Sequence, residues 1–233
     1  MNGVPLVYYT LATIREYIAV HRDDDVTVAL NTDSPELVEV VKKQTMIPDI
    51  RYVERKPELA GDRAPKVAVI RDTFLSLSRE SVFEVVVDLD ITSPLRRRSD
   101  LEHVLEEYDR LQSCDLVFSV VPARRNPYFN MVEKKRDGYY KKICDANFTA
   151  RQQAPAVYEM NASIYAYRPF FLCRTIDKSI IDYRCGIIEM PDFLVLDIDS
   201  EEDFKMMQYL HRYYCGIDAE LRQVYETAKK AGC

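Results

Sequence analysis

The stretch Val85–Arg98, VVVDLDITSPLRRR, decides how the rest of the chain is interpreted. Its three consecutive valines are typical of a parallel strand that is buried on both faces. The strand ends in acidic and hydroxyl-bearing residues, and open α/β sheets bind ligands outside the carboxyl ends of their strands. If the backbone is still extended from Asp88 to Asp90, both carboxylates lie on one face of the strand.

A run of three arginines, residues 96–98, separates this strand from a predicted helix. Ser99, with Glu102 three residues later, predicts a capping box at the start of that helix, which runs to about Gln112. Positive charge at a helix N-terminus is unfavourable by about 0.3–1 kcal/mol for each arginine. We therefore expect the arginines to face solvent or to bind an anion.

The composition indicates an acidic protein with a sizeable core. The chain has 233 residues and a formal net charge of -6, which is unfavourable for a nucleic-acid partner. The sequence contains no apolar run near the roughly 20 residues that span a bilayer, and no signal peptide is recognisable, so we expect no membrane partner. Six widely spaced cysteines without a CxxC pair indicate reduced thiols and a cytoplasmic location.

Hydrophobic periodicity and turn residues predict helices and strands in alternation. This order predicts one α/β domain over residues 1–233 with a largely parallel sheet. Only six glycines occur, so neither a G-x-G-x-x-G motif nor a P-loop can be written. We expect helices at about 5–20, 35–44, 66–79, 99–112 and 200–214, a final helix capped by Asp218, and strands at 26–31, 50–54, 85–90, 115–121, 162–167 and 193–198.

A polar hairpin is predicted at Met131–Ile143, with Asp137-Gly138 at its turn. Such a segment contributes little to a core by itself. We therefore expect residues 126–155 to project from the sheet as an arm that contacts a second copy of the chain.

Two further acids, Asp197 and Asp199, lie at the end of the apolar run Phe193–Ile198, which we expect to be the last strand. Carboxylates from two strand ends can converge on one Mg²⁺, which takes oxygen ligands and often substrate phosphates. Asp88 and Asp90 would supply the other pair. The alternative is that such acids only cap the helices that follow them.

A loop at Arg151–Gln153, closed by Pro155, offers a planar guanidinium and two amides. That combination suits a carboxylate or a phosphate, although a surface loop can carry it by chance. Asn161 lies just before a predicted buried strand. It is either a hydrogen-bonded turn residue or a ligand-binding residue.

Seven short stretches, in order along the chain, resemble the acylneuraminate (CMP-sialic acid) cytidylyltransferase family. They are MNGVPLVYYTL at 1–11, NTDSPEL at 31–37, RKPELAGD at 55–62, TSPLR at 92–96, RQQAP at 151–155, NASIY at 161–165 and DIDSEED at 197–203. The resemblance implies a Rossmann-like (GT-A-like) nucleotidyltransferase with a mixed, mostly parallel sheet and a projecting dimerisation arm.

The reaction that the resemblance implies joins CTP to a nine-carbon 2-keto sugar acid, giving a CMP-sugar and pyrophosphate, with Mg²⁺ as cofactor and a homodimer as the assembly. It also implies a role for each matching residue. Arg151 would be catalytic; Arg55, Asp90, Thr92 and Ser93 would contact the nucleotide; Gln152, Asn161 and Tyr165 would contact the sugar; Asp197 and Asp199 would hold Mg²⁺.

The chain also departs from the family. The family begins with a central strand and a basic, glycine-containing loop, and this sequence begins just after that point, at Met1. A hydroxyl-rich run of the family is replaced by residues 62–66, DRAPK. We therefore expect weak CTP binding and an unpaired apolar sheet edge.

Two other functions stay open at this point. One is a catalytically impaired homologue that binds a sugar or a partner. The other is a glycosyltransferase that uses Asp88-Leu-Asp90 as a metal motif on a sugar nucleotide, which the ordered family stretches disfavour.

Overall fold

The computed structural model describes residues 1–61, 64–148 and 150–231. Asp62 and Arg63, which begin the run DRAPK that departs from the family, lie outside the described residues, as does Cys233. The helices are α1 Leu6–Val20, α2 Pro35–Lys42, α3 Lys66–Leu77, α4 Arg98–Arg110, α5 Pro169–Cys173, α6 Glu201–Ile217 and α7 Ala219–Lys230. The strands are β1 Val28–Thr32, β2 Ile50–Glu54, β3 Val86–Leu89, β4 Leu116–Pro122, β5 Val132–Lys134, β6 Tyr140–Lys142, β7 Tyr158–Tyr167 and β8 Cys185–Glu189.

The larger sheet is mixed and has the strand order β3-β7-β4-β8. β7 is antiparallel to both β3 and β4, whereas β4 and β8 are parallel. Three of the four strands therefore run in the same direction, and their carboxyl ends meet at one edge of the sheet. This agrees with the mixed, mostly parallel sheet that the resemblance implied.

A second, two-stranded sheet consists of β1 and β2, which are parallel. Within the described residues β1 pairs only with β2, and β3 pairs only with β7. A groove of about 700 Å³ lies between the facing edges of β1 and β3, and apolar side chains of α1 and α4 also line it. The expected unpaired apolar edge is thus confirmed, and it occurs on both strands.

Helix α4 begins one residue earlier than predicted, and its cap is a different one. The carboxylate of Asp100 accepts a hydrogen bond from the backbone N–H of Arg97, with an oxygen–nitrogen distance of 2.8 Å. The predicted box of Ser99 and Glu102 is therefore wrong. The Ser99 N–H instead donates to a carboxylate oxygen of Glu220 at the start of α7, 3.0 Å away.

The predicted last strand, Phe193–Ile198, is also wrong. A 3₁₀ turn occupies Asp192–Leu194, and the chain then continues to α6 without regular structure. The apolar side chains pack on helices instead of joining the sheet: the Phe193 ring stacks on the Tyr214 ring, with centroids 3.7 Å apart. The last strand is β8, where Gly186 lies so close to Leu111 that a Cβ would sit 2.5 Å from its Cδ1.

The predicted hairpin is confirmed as the antiparallel pair β5 and β6. Its turn places Gly138 at a φ of 87°, in the left-handed region that favours glycine. Tyr139 and Tyr140 are exposed on the hairpin, at 74% and 65% of their surface. In the described ranges no helix is long and apolar enough to cross a membrane.

The division between the two sheets predicts a graded pattern of amide hydrogen exchange. β4 is paired on both sides and buried, so its amides open only in large-scale unfolding. We expect amides of β1 and β3 that face the groove to exchange at least about tenfold faster. Mass spectrometry after short labelling of the native protein measures this, and equal protection of β1, β3 and β4 would mean that the groove is closed in solution.

Candidate active site

The carboxyl end of β3 carries a compact group of charges. The Lys66 ammonium, on the first residue of α3, lies 2.7 Å from a carboxylate oxygen of Asp88 and 2.7 Å from one of Asp90. Its Nζ is also 5.0 Å from the centroid of the Tyr165 ring. Both carboxylates therefore share one face, as the extended strand predicted.

The two acids differ in the environment of their carboxylates. Burial opposes ionisation of Asp90, but the pairing with Lys66 and hydrogen bonds from Thr92 outweigh it and lower the pKa of Asp90. At Asp88 the effect of burial is larger than that of the nearby Lys66 ammonium, so the pKa of the Asp88 carboxyl is raised. The pKa of Lys66 is itself raised, because the two carboxylates outweigh the effect of its own burial.

A tight turn follows β3 and holds Asp90 in place. The Thr92 N–H and hydroxyl both donate to Oδ1 of Asp90, at 3.0 and 2.9 Å. The Arg96 side chain is fully buried under the turn and donates to the carbonyls of Asp90 and Ser93. Burial lowers the pKa of Arg96 to about 10.

The expectation that the three arginines face solvent or an anion is therefore wrong. Arg96 serves the turn from inside, Arg97 pairs with Asp100 and Asp218, and Arg98 pairs with Glu102. Each guanidinium is used within the fold, which removes the unfavourable interaction with the helix N-terminus that the sequence suggested.

The segment with Asp197 and Asp199 lies against this turn, although no strand carries it there. The N–H of Ile198, between the two acids, donates to the carbonyl of Thr92 at 3.0 Å. Burial raises the pKa of Asp197, and the neighbouring carboxylates of Asp199 and Asp90 raise it further. The carboxyl groups of Asp197, Asp199 and Asp90 therefore lie close enough to affect one another.

These residues suit a divalent cation that is only partly held by protein. No group of three or more His, Cys, Asp or Glu side chains in the described part of the chain forms a complete metal cage. The excess negative charge at Asp197 nevertheless favours a cation, and Mg²⁺ commonly takes one or two carboxylates together with phosphate and water oxygens.

Arg55 lies at the corresponding end of the smaller sheet. Its Nε donates to the side-chain oxygen of Asn31 at 3.1 Å, and its Nη2 donates to the Asn31 carbonyl at 2.9 Å. Asp33 lies 3.6 Å from the remaining nitrogen. The structure brings the NTDSPEL and RKPELAGD stretches together, and the contact of Arg55 with a nucleotide stays a prediction.

Arg151 and Gln152 lie in a 3₁₀ turn at Arg151–Gln153, and both are exposed. Arg151 donates to the carbonyl of Ala123, just beyond the carboxyl end of β4, at 3.1 Å. Because β3 and β4 run in the same direction, this turn is anchored at the same edge of the sheet as Asp90. The roles of Arg151 and Gln152 stay predictions.

Asn161 lies beneath the site, with 1% of its surface exposed. Its amide donates to the Leu194 carbonyl at 3.1 Å and accepts from the Ser119 hydroxyl at 2.7 Å. The Ser93 hydroxyl donates to the Asn161 carbonyl at 3.1 Å. Asn161 therefore ties the turn after β3 to the chain before Asp197, and a direct contact with the sugar stays a prediction.

Tyr165 lines the site through its packing on Lys66. Its pKa is raised by burial. Sequence reasoning did not place Lys66 in the site, because this residue belongs to none of the family stretches. A lysine on the first residue of a helix is nevertheless a usable signal, since its charge opposes the helix dipole unless carboxylates face it.

Solved structures with the same fold are nucleotidyltransferases. CMP:2-keto-3-deoxy-manno-octonic acid synthetase complexed with CTP matches over 87% of each chain, with a TM-score of 0.59 and 11% identity. 2-C-methyl-D-erythritol 4-phosphate cytidylyltransferase from Thermus thermophilus matches over 89% of each chain, with a TM-score of 0.52 and 13% identity. The architecture is therefore a Rossmann-like nucleotidyltransferase fold.

The sequence matches the cytidylyltransferase family over residues 1–229. The chain belongs to this family, which confirms the resemblance seen in its short stretches. It is 36% identical over 185 residues to post-translational flagellin modification protein B of Campylobacter coli and to CMP-N,N'-diacetyllegionaminic acid synthase of Campylobacter jejuni. Each match covers 78% of this chain and 76% of the relative.

The buried guanidinium of Arg96 yields a stability prediction. Arg96→Met keeps most of the side-chain volume but leaves the carbonyls of Asp90 and Ser93 without their charged donor, so we expect a loss of about 2–4 kcal/mol in the free energy of unfolding. Arg98→Met removes a partly exposed pair with Glu102 and should cost less than about 1 kcal/mol. Urea denaturation followed by circular dichroism compares the two, and equal losses would contradict the role of Arg96.

Proposed function

We propose that this chain transfers CMP from CTP to a nine-carbon 2-keto sugar acid and releases pyrophosphate. The observation that carries the proposal is the pair of acidic segments that meet at one turn, Asp90 after β3 and Asp197 beside Thr92. Membership of the cytidylyltransferase family supplies the reaction class.

The chemistry is a displacement at the α-phosphorus of CTP. The oxygen of the anomeric hydroxyl forms the new bond to phosphorus and gives up its proton to solvent. The bond from phosphorus to the bridging oxygen breaks, and pyrophosphate leaves with that electron pair. Catalysis of this kind depends on positioning and on neutralising charge. When bound, Mg²⁺ would offset the negative charge of the phosphates. Asp197 and Asp199 are the residues that the resemblance gives to it, and Asp90, which the resemblance places at the nucleotide, would be a third carboxylate for it on the other side of the turn.

The remaining predicted residues divide between the two substrates. Arg55, Thr92 and Ser93 would orient the nucleotide at the strand ends, and Gln152, Asn161 and Tyr165 would contact the sugar. Arg151 would be the catalytic residue, since its guanidinium suits a phosphate or a carboxylate. The similarity to CMP-N,N'-diacetyllegionaminic acid synthase of Campylobacter jejuni supports a sialic-acid-like sugar as the acceptor class.

Pyrophosphate release from CTP tests the proposal, with Mg²⁺ and a panel of 2-keto sugar acids of eight and nine carbons. We expect release only with a nine-carbon acid, and Asp197→Asn should lower kcat by about 100-fold or more. Asp192→Asn is the matched control, because Asp192 is close in sequence and pairs with the exposed Arg124; it should keep near-normal turnover.

The other two functions give different results in the same assay. An impaired homologue would bind the sugar acid calorimetrically without releasing pyrophosphate. A glycosyltransferase would hydrolyse or transfer from a sugar nucleotide and show no dependence on CTP. Either result would overturn the proposed reaction.

We also propose that the chain forms a homodimer through the arm at residues 126–155. The hairpin of the arm carries exposed apolar side chains: Val132, Tyr139, Tyr140 and Ile143 are each at least 42% exposed. A hairpin of this size is not stable alone, so a partner surface would complete it. The interface would bury more than about 1,000 Å² in total.

Sedimentation at tens of micromolar protein measures the assembly. We expect a dimer, and Tyr139→Glu combined with Tyr140→Glu should give a monomer, because charge would be buried in the interface. Tyr209→Glu alters an equally exposed tyrosine on α6 and should leave the dimer intact. A wild-type monomer would contradict the arm's proposed role.

The proposed setting is the cytoplasm. The five described cysteines, at 114, 144, 173, 185 and 215, are free thiols. Free thiols are typical of a reducing compartment. Nucleotide substrates such as CTP are consistent with that location.

A further inference from the structure

The Lys66 ammonium occupies the place where the strand-end acids would meet a cation. It lies 2.7 Å from carboxylate oxygens of both Asp88 and Asp90, and the Tyr165 ring covers it at 5.0 Å. These contacts hold the side chain from several directions. Lys66 is also anchored by its backbone as the first residue of a 12-residue helix, α3.

The two oxygens of Asp90 are not equally available. Oδ1 already accepts two hydrogen bonds from Thr92, at 3.0 and 2.9 Å. Oδ2 accepts from Lys66 at 2.7 Å. A metal ion that binds Asp90 from the side of Asp197 must therefore take a share of Oδ2, next to a positive ammonium.

Local charge explains why this competition matters. The carboxyl groups of Asp88 and Asp90 lie against the Lys66 ammonium, and the Arg96 guanidinium donates to the Asp90 carbonyl, so two acidic and two basic side chains lie together on this side of the turn. On the other side, Asp197 and Asp199 flank Ile198, whose N–H donates to the Thr92 carbonyl, and they add two further carboxyl groups. A divalent cation between the two sides gains from Asp197 but is repelled by Lys66.

We propose that Lys66 is a resident counter-cation that competes with the divalent cation for Asp90. The role of that cation in catalysis rests on the proposed function, whereas the competition itself concerns only the protein and a metal. Asp88 keeps hold of the ammonium when Asp90 is taken, so the charge stays in the site. The protein alone then binds metal weakly, and nucleotide phosphates are needed to complete the site.

Binding of Mn²⁺ to the protein without nucleotide or sugar tests the inference, measured by calorimetry or by the loss of the free-ion electron spin resonance signal. We expect Lys66→Gln to tighten Mn²⁺ binding by about tenfold or more, since a unit positive charge within a few ångströms is removed. Lys66→Arg should stay within about threefold of the wild type, because the charge is kept. Lys56→Gln is the matched control, since Lys56 pairs with Asp72 on the same helix as Lys66, and should leave the affinity unchanged.

A second pair of variants shows whether the tighter Mn²⁺ binding depends on Asp90. Adding Asp90→Asn to Lys66→Gln should abolish the tightening. If Lys66→Gln does not fold, Lys66→Gln with Asp88→Asn removes the charge of the more buried acid and leaves Asp90 held by Thr92, and it should show the same tighter binding. Unchanged or weaker Mn²⁺ binding in the folded variants overturns the inference.

The outcome is separable from that of the proposed reaction. A protein that never forms a CMP-sugar could still bind Mn²⁺ more tightly after Lys66→Gln, which would overturn the reaction and keep the competition. Normal turnover of the wild-type protein, with no change in Mn²⁺ affinity after Lys66→Gln, would overturn the competition and keep the proposed reaction.

Discussion

The hydrogen-bonded turn after β3 is the constraint on which the rest of the site depends. Arg96 holds its carbonyls from below, and Asp90 is fixed from above by the N–H and hydroxyl of Thr92. Two distant segments attach to the same turn, since Ile198 donates to the Thr92 carbonyl and Ser93 donates to the Asn161 carbonyl. An unpaired buried polar group is costly, so these hydrogen bonds fix the positions of the segments that they join. Asp197 is thereby held near Asp90 without a second strand.

Local rules predicted the acids on β3 correctly and the arginines after it incorrectly. The side-chain period of a strand is two, so Asp88 and Asp90 had to share a face. The environment of the Arg96 guanidinium depends on the carbonyls of Asp90 and Ser93, which the turn directs at it. The backbone of Arg96 is held separately, since the Thr13 hydroxyl of α1 donates to the Arg96 carbonyl at 3.5 Å. No pattern within a short window distinguishes such a buried arginine from an exposed one.

The run Phe193–Ile198 shows the same limit for hydrophobicity. A short apolar run is compatible with a buried strand or with a loop packed on helices, and periodicity alone does not separate them. Here Leu194 is buried and its carbonyl accepts a hydrogen bond from the Asn161 amide. This side-chain hydrogen bond, and not a backbone ladder between strands, fixes the loop. The family resemblance still placed Asp197 beside the turn, because it depends on the order of stretches and not on the secondary structure of each one.

The two sheets that carry the site are joined by side chains at their carboxyl ends. Arg55 and Asn31 belong to the smaller sheet, and Asp90 follows the larger one, with the groove between them. Helix α3 links the two sheets, because Thr73 accepts from the Asn31 amide at 2.9 Å while Lys66 pairs with Asp90.

A backbone ladder would fix the distance between the sheets, whereas two polar contacts through one helix fix it less strongly. Apolar residues of both sheets, among them Val28 of β1 and Val87 of β3, also pack in the same hydrophobic core, which holds the sheets together beneath these polar contacts. A ligand that contacts Arg55 and Asp90 together would therefore bridge two sheets whose relative position the core and α3 both set. Since Lys66 is the first residue of α3, the side chain that pairs with Asp90 lies on the same helix that links the two sheets across the groove.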